Sequence, residues 1–260
     1  MSAVTTLTWC WRIERRDGVT IGLTAHDRDV VVDGLPYRAA PGMVPSAIER
    51  DDTLDAPVMA VEGALSHAAV SAEDLLAGRY DGARVEVFAV DWDTGGAPVS
   101  IASGRIGAVE LRRGRFAAEL LGAEARLEAP VVEATSPGCR AMLGDRRCRV
   151  PMAGRRRVVR VSGQEGTRVT LAAGAGFARG RLRWIGGANS GLAAMIVAAD
   201  ADGVTLEQAP RFGGVGALVE ISEGCDGTLP TCRDRFGNVA NFRGEPHLPG
   251  IDLLTRYPGG

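Results

Sequence analysis

Short runs of β-branched, aliphatic and aromatic residues, broken by polar turns, recur from end to end of the chain. Nine are plain: "TTLTWCWRI", "VTIGLT", "RVEVFAV", "RRVVRVS", "TRVTLAA", "RLRWI", "MIVAAD", "VTLEQ" and "ALVEIS". Their length and composition suit strands with one covered face. Asp-Gly and Gly-Gly signals punctuate them, as in "RRDGVT", "VVDGLPY", "DWDTGGAP", "GQEGT", "DADGVT" and "FGGVG". Many short strands joined by tight turns predict a mainly β protein, barrel- or sandwich-like, with antiparallel pairing.

Helix is the minority. "SAEDLLAG", from Ser71 to Gly78, has an N-cap serine, acids in its first turn and a glycine stop. "GAEARLEAP" reads as a second short helix ending before Pro130, after which Pro137 and Gly138 break the chain. The boundary between two β-rich domains is expected around residues 130–137, giving 1–134 and 135–260. "AAGAGFARGRLRWIGGANSGLAA" reads as tight turns around the strand "RLRWI" rather than as a linker.

A length of 260 residues is enough for two domains that each bury a core. Hydrophobic residues make up 45% and charged residues 24%, and no 18-residue apolar run is present, so no membrane span is expected. The start "MSAVTTLTWCWRIERRDG" lacks a basic segment followed by an apolar one, so the chain is expected to mature in a reducing cytosol, where cysteines stay thiols or bind metal. A net charge of −2 argues against direct nucleic-acid binding. All 30 basic residues are arginine, concentrated between Arg140 and Arg183, while acids crowd Glu49 to Asp55.

Cysteine placement changes the picture most. Cys10 sits between Trp9 and Trp11 and reads as a small buried hydrophobe. Cys139 and Cys148 form a C-x8-C pair, Cys225 and Cys232 a C-x6-C pair, and 76 residues separate the pairs. Disulfides would suit a secreted chain. Zinc would use four thiolates but typically on C-x2-4-C knuckles. An iron-sulfur cluster takes four thiolates at variable spacing. Arg140, Arg146, Arg147, Arg149, Arg233 and Arg235 flank the cysteines and could offset the charge of such a site. Spacing alone leaves these readings open.

Other candidates are weaker. "AHDRD" reads as a polar turn in which His26 and Asp27 satisfy backbone groups, rather than as part of a hydrolase or a Cys-His pair with Cys10. His67 and His247 lack a supporting motif. "GGANSG" lacks the Gly-Lys-Ser/Thr ending of a phosphate loop and reads as a turn. "ERDDTLD" lacks the spacing of a calcium loop and reads as an acidic loop facing an arginine-bearing neighbour.

The stretch "SEGCDGTLPTCRDRFGNVANFRGEPHLPG" closely resembles the carboxy-terminal domain of the phage tail-tip hub family, which includes the hub protein of alphaproteobacterial gene transfer agents and, more distantly, the tail-tip protein L of bacteriophage lambda. "SPGCRAMLGDRRCRV" and "GRLRWIGGANSGL" are similar to the same domain. "GLTAHDRDVVVDGLPYRA" and "GRYDGARVEVFAVDW" resemble the domain found ahead of it. The resemblance implies a non-enzymatic structural subunit of a virion tail tip, assembled in the host cytoplasm. It implies a homotrimer that joins the tail tube to a distal tail protein and to other baseplate or tail-fibre proteins. It also implies a 4Fe-4S cluster on Cys139, Cys148, Cys225 and Cys232, stapling the second domain. Kept beside it are structural zinc in the same hub, and a redox or hydrolytic metalloenzyme using the four-cysteine site.

Overall fold

The computed structural model describes residues 6–39, 44–45, 59–64, 70–112, 115–122 and 132–247. The helix expected over 122–130, Gly122 apart, the acidic segment 49–55 and His67 lie outside the described residues. The chain divides into two compact units, residues 1–131 and 132–260. Both are mainly β with few short helices.

In the first unit, strands β1 (Leu7–Glu14), β2 (Thr20–Thr24), β3 (Val30–Val32), β4 (Leu35–Ala39), β5 (Val44–Pro45), β6 (Met59–Ala64), β7 (Arg84–Asp91), β8 (Val99–Arg112) and β9 (Arg115–Leu121) form one sheet. Its order is β3-β4-β2-β1-β7-β8-β9-β6-β5. The β3–β4 hairpin turns on Asp33 and Gly34, both with positive φ (49° and 77°), the backbone a two-residue loop needs to match strand twist. The antiparallel expectation fails at one place: β2 and β4 run parallel, Gly22 opposite Tyr37. A Cβ at Gly22 would stand 2.9 Å from both the Pro36 carbonyl oxygen and Tyr37 Cδ1, so only glycine allows this approach. The expected capped helix is present as α1 (Ala72–Leu76), with Ser71 Oγ accepting the Asp74 N–H at 3.1 Å.

The central strands of this sheet switch their buried face. In β1, Cys10 packs with Val32, Tyr37, Phe88 and Val90, whereas its neighbour Trp11 packs with Ile13, Leu23, Val85 and Val87. Adjacent strand residues point to opposite faces, so each face of the sheet has its own core. The paired strand switches at the same level: Cys10 faces Phe88, Trp11 faces Val87, and the β7–β8 register shifts between Val87 and Phe88. The β1–β7 register is unbroken here, and the extra residue of the irregularity lies on β8, between Ser100 and Ala102. Cys10 is fully buried in this unit, and burial pushes its thiol pKa up against the lowering effect of the Thr24 hydroxyl.

Arg15, at the end of β1, is largely buried, lies 5.3 Å from the Tyr80 ring centre and is paired with Asp17. Burial acts against the Asp17 carboxylate, but Arg15 and the Val19 N–H outweigh it and hold its pKa below 3.8.

The second unit contains β10 (Arg156–Arg160), β11 (Gly163–Glu165), β12 (Arg168–Thr170), β13 (Arg181–Trp184), β14 (Ala193–Ala199), β15 (Gly203–Leu206), β16 (Leu218–Ser222) and α2 (Leu229–Asp234). The sheet order is β10-β16-β13-β14-β15-β12-β11. Only Val161 and Ser162 separate β10 from β11, so one segment pairs with β16 at its start and with β12 at its end. The sheet therefore closes on itself as a small barrel, with the buried Val161 at the corner. Inside it Val169, Leu182, Trp184, Ile196, Val204, Leu206, Val219 and Ile221 form a single core.

Leu182, fully buried on β13, is expected to cost about 2–5 kcal/mol on truncation to Ala. The exposed Val197 should cost about 0.5 kcal/mol or less. Urea unfolding followed by hydrogen exchange of β13 and β16 amides reads the difference. A carboxylate with a lowered folded pKa stabilises above its unfolded value and loses that effect as pH falls through the folded one. The stability gap between wild type and Asp17→Asn should thus narrow steadily below pH 3.8 in an acid titration of the first unit.

Candidate metal centre

Cys139 and Cys148 lie on a loop with no strand or helix, so side chains must shape it. The Asp145 carboxylate accepts the backbone N–H groups of Met142, Arg147 and Cys148 at 2.9, 2.8 and 2.6 Å. Those donors, Cys148 first, lower its pKa. Gly144 and Arg149 take positive φ on either side, and the Arg149 N–H donates to the Asp145 carbonyl at 2.9 Å.

Cys225 and Cys232 leave the barrel at the end of β16. Gly224 runs against the backbone of Ala178, Arg179 and Gly180 so closely that no Cβ fits. Asp226 accepts from the Thr228 N–H and hydroxyl, both at 2.9 Å, and Thr228 caps α2 by accepting the Thr231 N–H at 3.3 Å. Pro230 suits the first turn, where an N–H would have no partner. Cys232 is the buried residue of this helix.

The two segments are knitted together directly. The Cys139 N–H donates to the Gly227 carbonyl at 2.7 Å, Arg140 N–H to the Arg243 carbonyl at 3.0 Å, and Glu245 N–H to the Ser136 carbonyl at 2.8 Å. Glu245 accepts the Ser136 N–H at 2.9 Å and a two-pronged pair from Arg140 at 2.6 and 2.9 Å. Arg140 above all, then the Ser136 N–H, pulls the Glu245 pKa down to about 2. Gly244 lies under this join: a Cβ there would sit 2.5 Å from the Gly138 carbonyl oxygen.

Cys225 and Cys232 are thereby each brought within electrostatic reach of Cys139 and Cys148, and none of the four is in a disulfide. Burial, then the nearby Cys139, Cys225 and Cys148, pushes the Cys232 thiol up. For Cys225 burial dominates, opposed by the Gly227 N–H and reinforced by Asp226, Cys139 and Cys148. Three sulfurs already receive N–H groups: Cys225 from Gly227 at 3.4 Å, Cys139 from Arg243 at 3.3 Å, and Cys148 from Asn238 Nδ2 at 3.7 Å. Such donors stabilise thiolates bound to a metal group. Cys148 and Cys232 are buried, Cys139 and Cys225 half-buried. Among the described residues no three His, Cys, Asp or Glu side chains gather as a single ion would require. The donor set, four cysteines with N–H donors at three of the sulfurs, suits a metal group bound through thiolates.

Five of the six flanking arginines are engaged within the loops. Arg140 pairs with Glu245 and Glu133, Arg147 with Glu133, and Arg233 with Asp234. Arg149 donates to the Arg146 carbonyl, and Arg235 binds Glu223 and the carbonyls of Gly176 and Gly224. These cations fasten the loops, while the sulfurs take their donors from backbone and from Asn238. Asn238, Asp145 and Glu245 went unnoticed in sequence, because nothing short of the folded loops marks an amide or a carboxylate as a partner of a distant segment. Phe236 follows these loops, its ring centre 5.0 Å from the Arg155 guanidinium and 4.8 Å from that of Arg235.

The remaining sequence candidates fall into turns. His26 Nδ1 accepts the Arg28 N–H at 3.1 Å, and its ring packs on Trp92 at 4.9 Å. "GGANSG" connects β13 to β14, and its buried Asn189 exchanges hydrogen bonds with the backbone of Phe212 at 2.7 and 3.1 Å. His247 is exposed.

Residues 1–151 match the family described as baseplate hub protein, N-terminal attachment domain. Residues 175–252 match phage conserved hypothetical protein BR0599. The first span takes in Cys139 and Cys148, the second Cys225 and Cys232. The chain is also similar to one in a solved structure described as the virion of native gene transfer agent (GTA) particle: 36% identity, TM-score 0.87, covering 99% of this chain and 93% of that one. No curated protein matches.

Gly244→Ala should wedge the two cysteine segments apart at a cost of about 1–3 kcal/mol. Exchange of the Cys139 and Arg140 amides, measured by NMR or mass spectrometry, should accelerate roughly tenfold or more. Gly213→Ala, which meets nothing within 4 Å, should leave both unchanged.

Proposed function

This chain belongs to the phage baseplate hub protein family, and from that membership we propose a non-enzymatic structural subunit of a gene-transfer-agent-like tail tip. It acts as a homotrimer that joins the tail tube to a distal tail protein and to other baseplate or tail-fibre proteins. The amino-terminal unit carries the attachment to the tail, in keeping with the attachment-domain family that it matches.

The carboxy-terminal unit carries a 4Fe-4S cluster on Cys139, Cys148, Cys225 and Cys232. The observation that carries this reading is the convergence of four free thiols from two segments 76 residues apart in sequence, three of them already supplied with N–H donors. Four buried or half-buried thiols in mutual reach repel as anions, and a bound cationic core relieves that repulsion. When bound, the cluster supplies iron as a common partner for all four sulfurs and so cross-links the loop at 139–148 to the segment at 225–232. The protein's own residues do the rest. Asp145 shapes the first loop, Thr228 and Asp226 start the helix that presents Cys232, and Arg140 with Glu245 holds the two segments in register.

Protein purified without oxygen should be brown and contain iron and acid-labile sulfide in equal amounts. Substituting Ser for Cys225 or Cys232 should abolish most of both, and for Cys10 neither. Colourless protein with one zinc per chain would overturn the cluster while keeping the four-thiolate site. Charge-detection mass or light scattering reads the homotrimer, which a monomer at high concentration would exclude.

A further inference from the structure

Asn238 bridges the two halves of the cysteine site. Its Nδ2 donates at 2.6 Å to the Cys148 carbonyl and at 3.7 Å to the Cys148 sulfur, while its own backbone N–H donates at 3.0 Å to the Cys232 carbonyl. It therefore touches one ligand from each cysteine pair. A carbonyl oxygen can only accept, so the short contact to Cys148 fixes the amide with its nitrogen, not its oxygen, toward that residue. The other end is held too: Asn241 Nδ2 donates to Asn238 Oδ1 at 2.8 Å. The Asn238 amide is part-buried where it meets Cys148, and Cys148 itself is buried, so water competes poorly for this sulfur.

We propose that Asn238 is a positioning residue that sets the reduction potential and the retention of the cluster through its N–H bond to the Cys148 sulfur, oriented by Asn241. The inference rests on the cluster reading above and adds a specific residue pair to it. An N–H donor stabilises a thiolate more as the cluster gains an electron and its negative charge grows, so the bond raises the potential. Losing it leaves the sulfur in the same dry surroundings with one donor fewer. The Cys225 and Cys139 sulfurs take their donors from backbone, at Gly227 and Arg243, which side-chain exchange would not remove. Cys148 is the sulfur whose donor can be tuned by substitution.

The test compares the full-length, anaerobically purified wild type with Asn238→Ala, Asn238→Leu and Asn241→Ala. Ala and Leu at 238 remove the donor without adding charge. Ala at 241 removes the N–H that holds Asn238 Oδ1 without itself touching sulfur. The expected results are a reduction potential shifted to lower values in all three, by spectroelectrochemistry, most in the two Asn238 variants, which should also release iron to a chelator roughly tenfold faster. Wild type without iron and sulfide would sink the cluster reading, and this inference with it. Loaded Asn238 variants whose potential and chelator rate match those of wild type would overturn the Asn238 role alone and leave the cluster standing. If the two Asn238 variants fail to load, a wild-type potential in Asn241→Ala overturns the proposal.

Discussion

Residues 136–140 are held to residues 227 and 243–245 by three backbone hydrogen bonds and by the Arg140–Glu245 fork, and the carboxy-terminal site depends on that join. The barrel delivers Cys225 and Cys232 at the end of β16, but it contributes nothing to the loop that carries Cys139 and Cys148. Without regular structure, that loop is ordered by Asp145 within it, by Asn238 on the Cys148 carbonyl and by the pairing across to the last segment. A charge-assisted, two-pronged pair gives direction as well as attraction, so it sets register where no strand does. The close approach of Gly244 to Gly138 is the steric side of the same constraint.

Electrostatics near the cysteines follows from how each charge is used. Arginines crowd this part of the sequence, yet the structure commits them to carboxylates and carbonyls, so they neutralise the acids that shape the loops. Burial first, and then the neighbouring cysteines, push the Cys225 and Cys232 thiols up. Such a site is poorly suited to four free thiolates and well suited to four thiolates sharing a metal core. Backbone and amide N–H groups complete the arrangement at short range, where a guanidinium would also need room and counter-charge.

The first unit solves a different problem by similar means. One sheet serves two cores because its central strands change their buried face between Cys10 and Trp11 and between Val87 and Phe88. The fully buried Cys10 belongs to that packing. The ion pair of Arg15 with Asp17, packed by Tyr80, closes the β1–β2 turn beside the larger core.

Strand-forming composition and turn chemistry were legible without coordinates. Runs such as "RVEVFAV", "RLRWI" and "ALVEIS" became strands, Ser71 became a cap, and Asp33-Gly34 became a two-residue hairpin. Each of these depends on residues within a few positions. Strand β8 was not legible, because "VSIASGRIGAVELR" is rich in Gly, Ala and Ser and shows little β preference. Helix α2 was hidden for a similar reason: six residues are too few to show a period. Sequence determined the two cysteine pairs, their spacing and their family motif. Only the tertiary structure decided that Gly22 admits a parallel strand, that β10 and β11 close a barrel, and that the arginines hold carboxylates while Asn238 turns to a sulfur. Those outcomes join residues far apart in sequence, and their energies depend on burial and distance, which no local pattern encodes.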